Sequence, residues 1–274
     1  MAQTSEGKRL TDAHRIAQVK VRNQVEREAK KAMKLLDLDN ISGSWAWKLD
    51  LLQIMRDGYA DSVKLATTYM QTFPEADAGI TEQIIVSPFS ARDADVIINA
   101  EGVAAIKKGI KAGELPEQAA ARVASSLAAA AAQQAIAGGR NLIDSTVRYS
   151  GRSGQYRRVG GSSLCAFCAM LVGRGPVYSQ TTGYFRSHDH CGCTAEPVYG
   201  EWVPTDQEAL WRDAYRQAAE AADDYNGIRV APSPMNDEDT ILWRMRRQHP
   251  ELFTDGVVDD APLGASRPAR RRTF

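Results

Sequence analysis

The sequence predicts a mainly α fold: an N-terminal helical domain, a small α+β module, a further helix and a flexible C-terminal tail. Apolar residues recur every three or four positions through most of residues 11–149, which is the pattern of helices that bury one face. From residue 150 the chain is rich in glycine, serine and arginine and the helical periodicity ends, which indicates a domain boundary. The predicted domains are 1–150, 151–200, 201–227 and 228–274.

The first domain is expected to consist of long amphipathic helices. Residues 11–36 form one apolar stripe, and a second stripe runs over 45–73, where Pro74 is expected to end the helix. A third helical region is predicted over 91–113. From Pro116 the chain is very rich in alanine, and such small side chains predict a seam where helices approach closely.

The second half of the chain contains shorter elements. The segments YRRV and EPVY are predicted to be strands of a small irregular module at 156–199. Thr205 and Glu208 form a Thr-x-x-Glu capping box that opens the helix of 201–227. Beyond this helix ILWRMRRQ predicts one short helix, and the basic end GASRPARRRTF is expected to be disordered.

Charge and composition exclude a general affinity for polyanions. The chain has 34 Lys and Arg against 34 Asp and Glu, so the whole molecule has no bias toward nucleic acid or acidic lipid. Its start lacks the apolar segment of a signal peptide, and no apolar run is long enough to span a bilayer. We therefore expect a soluble chain from a reducing cytoplasm, where clustered cysteines are more often metal ligands or catalytic thiols than disulfides.

The four cysteines and two of the histidines form a metal-binding pattern. Two residues separate Cys165 from Cys168, two separate His188 from Cys191, and Cys193 follows. Two such pairs can close a tetrahedron of thiolate and imidazole ligands, which suits zinc better than magnesium or calcium. The predicted zinc ligands are Cys165, Cys168, His188 and Cys191. A closed site would contribute on the order of 10 kcal/mol to the folding of a zinc-stabilised module.

Alternatives remain open because six donors compete for four places. Cys193 is an alternative to Cys191 or His188, since a Cys-x-Cys pair can bind one ion; otherwise it packs as a small apolar residue. His190 is expected to be solvated or to support the ligands. A reactive thiol beside an imidazole would instead need an open cleft, and the last alternative is that the cysteines only pack.

The same segment resembles a known family of phage proteins. The sequence YRRVGGSSLCAFCAMLVGRGPVY, followed by HDHCGCTAEPVY, is similar to the Mu F-like phage head morphogenesis proteins, in particular the minor head proteins of actinobacterial phages. The shared elements are an Arg-Val strand at Arg158 and Val159, a C-x-F-C pair at 165–168, an R-G-P-V-Y turn at 174–178, and an H-x-x-C-x-C segment at 188–193 that leads to Pro197. Gly139 and Arg140 match a pair that such proteins also carry.

This resemblance implies a minor head (capsid) protein of a tailed phage, located in the virion head and assembled in the host cytoplasm. The implied function is head morphogenesis, with DNA packaging or ejection as a further role, and the implied partners are the portal and the major capsid protein. Relatives are often labelled capsid maturation proteases, so such a protease is the alternative function. The sequence contains no His-Glu-x-x-His or Gly-x-Ser-x-Gly motif, and a closed zinc site has no position for an activated water, which argues against an enzyme.

A third hypothesis is contact with packaged DNA through arginines, which would give salt-sensitive phosphate contacts. The candidates are Arg148, Arg152, Arg157, Arg158 and, in the tail, Arg267, Arg270, Arg271 and Arg272. Scattered arginines more usually form a solvated surface. The isolated His14 and His249 are likewise expected to be solvated residues of charged helices.

Overall fold

The computed structural model describes residues 2–150, 152, 154–179, 185, 187–223 and 237–257. The chain divides into two compact units. The first comprises Met1–Val159 with Pro176–Trp202, and the second comprises Gly160–Gly175 with Val203–Phe274. The domain boundaries predicted at 150, 200 and 227 stay predictions, and the basic end predicted to be disordered lies outside the described residues.

Helices dominate the described residues, as predicted. The first unit contains α1 (Ser5–Ala32), α2 (Trp45–Ala78), α3 (Ala91–Ile97), α4 (Ala105–Lys111) and α5 (Pro116–Ser150). It also contains the strands β1 (Gln155–Val159), β2 (Tyr178–Ser179) and β3 (Thr194–Val198). The second unit contains α6 (Ala166–Gly173), α7 (Asp206–Asp223) and α8 (Asp237–Gln248). None of the helices in the described part of the chain combines the length and the apolar character needed to cross a bilayer.

The three long helices α1, α2 and α5 pack against one another around the main core of the first unit. Trp47 and Leu51 of α2 are fully buried there beside alanines of α5. Gly138 allows α2 and α5 to approach closely, because a Cβ atom at this position would lie 2.7 Å from the carbonyl oxygen of Tyr59. The predicted alanine-rich seam is therefore confirmed.

The prediction that α2 ends at Pro74 is wrong. The helix continues to Ala78 and ends at Gly79, which adopts the left-handed conformation with φ of 67°. Asp77 in this last turn is buried, and its Oδ1 accepts the backbone N–H groups of Gln3 and Thr4 at 2.7 and 3.0 Å. A proline inside a helix removes its own hydrogen-bond donor and crowds the carbonyl group four residues earlier, and these tertiary contacts hold the last turn in place despite that cost.

Two further expectations for the helical region are corrected. The segment Ile98–Ala104 is a π-helix between α3 and α4, so the third helical region is not one regular helix. His14 on α1 is not solvated: its side chain is buried and its ring stacks on that of Tyr69 with 4.5 Å between the centroids. His249 is half-buried, with Nε2 3.0 Å from Oε1 of Gln217.

The strands form an antiparallel sheet in the order β2-β1-β3, which confirms the strands predicted from YRRV and EPVY. The register of β1 and β3 places Arg157 opposite Glu196. Both side chains are buried, and Nε of Arg157 lies 2.6 Å from Oε1 of Glu196. Strand β3 also contacts α5 and α1, so the chain that enters β3 lies beside these helices.

In the second unit α6, α7 and α8 contact one another. The predicted capping box opens α7: the N–H of Thr205 donates to Oε2 of Glu208 at 3.0 Å, and the N–H of Glu208 donates to Oγ1 of Thr205 at 3.2 Å. Helix α8 confirms the short helix predicted from ILWRMRRQ.

Candidate metal centre

Cys165 and Cys168 lie at the N-terminal end of α6. Cys165 caps the helix, and its Sγ accepts the backbone N–H of Cys168 at 3.5 Å. The N–H of Ala166 donates to Oδ1 of Asp255 at 2.8 Å, and Asp255 also pairs with Arg246 at 2.6 Å. Because the N–H groups of a helix N-terminus favour negative charge, this position suits cysteine thiolates.

His188, Cys191 and Cys193 lie on the segment that enters β3. The N–H of Cys191 donates to the carbonyl oxygen of His188 at 3.1 Å and closes a turn. Cys191 is 1% exposed and Cys193 is 3% exposed. This segment, residues 188–193 and here called the cysteine turn, therefore directs both cysteines into the protein.

Side chains of α5 hold this segment by its backbone. Arg140 donates to the carbonyl oxygen of Cys193 from Nε at 3.1 Å and from Nη2 at 2.8 Å, and Nη2 also lies 3.3 Å from the carbonyl oxygen of Cys191. Gln133, two turns earlier, donates to the same Cys191 oxygen at 3.1 Å and accepts from Nη1 of Arg140 at 2.9 Å. Buried carbonyl groups need donors, and α5 supplies them to both cysteines.

Two buried guanidinium groups also reach the sulfur of Cys191. Nη2 of Arg140 lies 3.7 Å from this Sγ, and Nη1 of Arg158 on β1 lies 3.8 Å from it. The ring of Phe185 lies against both guanidinium groups, at 4.7 Å from that of Arg140 and 3.9 Å from that of Arg158. These two positive charges offset the negative charge of a thiolate at Cys191.

The hypothesis that arginines at 148–158 face DNA is wrong for the two in β1. Arg157 is 3% exposed and Arg158 is fully buried. Arg148 pairs with Asp144 at 2.8 Å, Arg152 is exposed, and the tail arginines lie outside the described residues. The contact of Arg158 with the cysteine turn was not predicted from the sequence. The residues next to an arginine in a strand do not indicate which distant carbonyl group or sulfur atom its side chain will contact.

His190 connects the cysteine turn to α1. It has a positive φ of 62°, which a non-glycine residue rarely adopts. Its carbonyl oxygen accepts Nη1 of Arg22 at 2.6 Å, and its Nδ1 lies 3.1 Å from Oε1 of Glu26. The contacts of His190 with α1 thus hold the end of the turn beside that helix.

The two halves of the cysteine–histidine motif lie in different compact units. Cys165 and Cys168 supply two sulfur donors from the second unit, and His188, Cys191 and Cys193 supply one imidazole and two sulfur donors from the first. All four cysteines lie in the described part of the chain, and none forms a disulfide. Sulfur and imidazole donors are the ligands that zinc prefers in structural sites.

Fold and site together define a mainly helical protein with a candidate cysteine–histidine metal centre. A model of the VG15 protein family matches residues 3–222, which include α1 to α6, nearly all of α7 and the whole cysteine cluster. The chain therefore belongs to the VG15 protein family. This is a family of phage gene products, and membership indicates a virion-associated phage protein. No curated protein and no solved structure matches the chain.

Proposed function

We propose that this chain is a minor head protein of a tailed phage that acts in head morphogenesis and that its cysteine–histidine cluster binds a structural zinc ion. The observation that carries the proposal is the confinement of all four cysteines, none of them in a disulfide, to residues 165–193 of a region that belongs to a phage protein family. The portal and the major capsid protein are the proposed partners. Packaging or ejection of DNA is a further proposed role.

In the proposed zinc site Cys165, Cys168 and His188 supply three ligands and Cys191 supplies the fourth. Nδ1 of His188 lies 2.5 Å from the carbonyl oxygen of Asp189, which leaves Nε2 for the metal, as in many zinc-binding histidines. The guanidinium groups of Arg140 and Arg158 favour Cys191 as the fourth ligand, because they offset the charge of its thiolate. Cys193 is the alternative, since a Cys-x-Cys pair can bind one ion.

A zinc ion with four protein ligands has no open coordination position, so its role is to stabilise the fold. It would connect the start of α6 to the turn before β3, two segments that lie apart in the sequence. Such a connection contributes on the order of 10 kcal/mol of apparent folding free energy. The proposed function is therefore a role in assembly of the phage head. In this role the zinc site would maintain the structure of the region that contacts the partners.

The test is a phage that lacks this gene, complemented with the wild-type chain or with Cys168→Ser. We expect the wild-type chain to be found in purified heads by mass spectrometry. Heads without it should contain normally processed coat protein but show defects in portal-associated assembly, packaging or infectivity, and Cys168→Ser should not restore them. Lost coat processing that purified wild-type protein restores and the Cys168→Ser protein does not would instead establish the capsid maturation protease.

A further inference from the structure

A row of exposed cations follows one side of the C-terminal half of α1 and the turn after it. These residues, here called the basic stripe, are Lys20, Arg27, Lys30, Lys31 and Lys34. The four other than Lys30 follow one another at steps of seven, four and three residues, so they project from one face of the helix. Val25, Ala29 and Ala32 are buried on the opposite face. The basic stripe is thus the solvent side of a helix that the core holds in place.

Within the described residues, none of the five cations lies in an ion pair. The two carboxylates in this part of α1 have other partners. Glu26 pairs with Nδ1 of His190 at 3.1 Å and with Arg22 at 3.8 Å. Oε1 of Glu28 accepts from Gln24 at 3.0 Å. A chain with a formal net charge of zero therefore concentrates five positive charges on one exposed face.

We propose that the basic stripe binds the phosphate backbone of duplex DNA. From Lys20 to Lys34 the helix and the turn after it rise about 21 Å. Duplex DNA carries one negative charge per about 1.7 Å of its axis, so this length presents roughly a dozen phosphates. DNA is the polyanion that a virion-associated phage protein meets, and lysine and arginine side chains contact phosphates without reading base sequence. This surface is distinct from the buried arginines of β1 and from the tail.

The test is a salt titration of the binding of the full-length protein, as purified, to a short fluorescent DNA duplex, measured by fluorescence anisotropy. Each phosphate contact steepens the slope of log K against log salt concentration by about 0.9, so five contacts give about −4.5. A triple variant should bind DNA more weakly, with a slope shallower by about 2.7. It combines Lys20→Gln, Arg27→Gln and Lys31→Gln. In the single variant Lys31→Gln the slope of log K against log salt concentration should be shallower by about 0.9. This variant replaces the triple variant in the test if the triple variant fails to fold.

The matched control removes the same charge from exposed lysines elsewhere: Lys8→Gln, Lys64→Gln, Lys108→Gln. It should retain the wild-type slope, and duplexes of different sequence should bind equally. An unchanged slope in the basic-stripe variant, or an equal loss in the control, would overturn the proposal. So would a basic-stripe variant that binds DNA normally but no longer binds an acidic surface of coat protein.

The inference rests on membership of a phage family and not on the zinc site or the position in the head. A purified protein without zinc, or absence of the protein from purified heads, would count against the proposed function and leave the salt slope as the separate test of the basic stripe.

Discussion

Arg140 on α5 donates two hydrogen bonds to the carbonyl oxygen of Cys193, from Nε at 3.1 Å and from Nη2 at 2.8 Å. The same side chain is 5% exposed and lies 3.7 Å from the sulfur of Cys191. Helix α5 is held by its own apolar core with α1 and α2. The backbone of the cysteine turn is therefore positioned by contacts that do not need a metal.

Replacing this arginine should weaken the proposed zinc site without unfolding α5. The variant Arg140→Gln loses hydrogen bonds to the turn and one positive charge near Cys191, so we expect its zinc affinity to fall about 10- to 100-fold. Competition with a chromophoric chelator measures this loss, and circular dichroism measures helicity. Arg122→Gln is the control, because Arg122 lies on the same helix but is half exposed and pairs with Glu114; similar losses in both variants would contradict the account.

His188 and His190 should differ greatly in their effect on zinc, although they lie two positions apart. His188→Ala removes a proposed ligand and should lower zinc affinity by orders of magnitude. His190→Ala removes only a contact with Glu26 on α1, so we expect a loss of at most about 100-fold. Chelator competition on both variants checks the difference, and equal losses would show that His188 is not a ligand.

The pair of Arg157 and Glu196 should be required for the stability of the sheet. Both side chains are buried with their charged atoms 2.6 Å apart, so Glu196→Gln removes the carboxylate that faces the buried guanidinium group and should cost about 3–5 kcal/mol of unfolding free energy. Urea denaturation measures the change. Glu114→Gln, at an exposed ion pair, should change stability by less than about 1 kcal/mol. A double variant, Arg157→Met with Glu196→Leu, should be milder than either single change.

His14 should make the protein less stable in mild acid. Burial lowers the pKa of His14 from 6.5 to about 3, so the unfolded chain takes up a proton below pH 6.5 that the folded chain does not. The contribution of neutral His14 to the free energy of unfolding is therefore fully present above pH 6.5 and is lost as the pH decreases toward 3. His14→Phe keeps a ring beside Tyr69 and should flatten this dependence in urea titrations at several pH values. An unchanged pH slope in this variant would mean that other groups cause the effect.

The helices could be predicted from sequence because their signal is local. The stripe from Trp45 to Phe73 repeats every turn, and the Thr205–Glu208 capping box involves residues three apart. The predictions for Pro74 and His14 are wrong because tertiary contacts decide the structure there: Asp77 holds the last turn of α2 in place, and the Tyr69 ring stacks on the His14 ring. The spacing of the cysteines predicted a metal-binding cluster. The contacts of Arg140 join residues more than 50 positions apart, so no local sequence pattern predicts them.

The measurement that tests the central claim most directly is the metal content of the purified full-length protein, determined by inductively coupled plasma mass spectrometry together with native mass spectrometry. We predict one zinc ion per chain in the wild type and in the exposed-site control Ser163→Ala, and none in Cys168→Ser, which removes a proposed ligand. Limited proteolysis should then cut the Cys168→Ser protein between 156 and 199 while the helices of the first unit remain intact. A metal-free wild-type protein whose 156–199 region resists protease as well as zinc-loaded protein does would contradict the account.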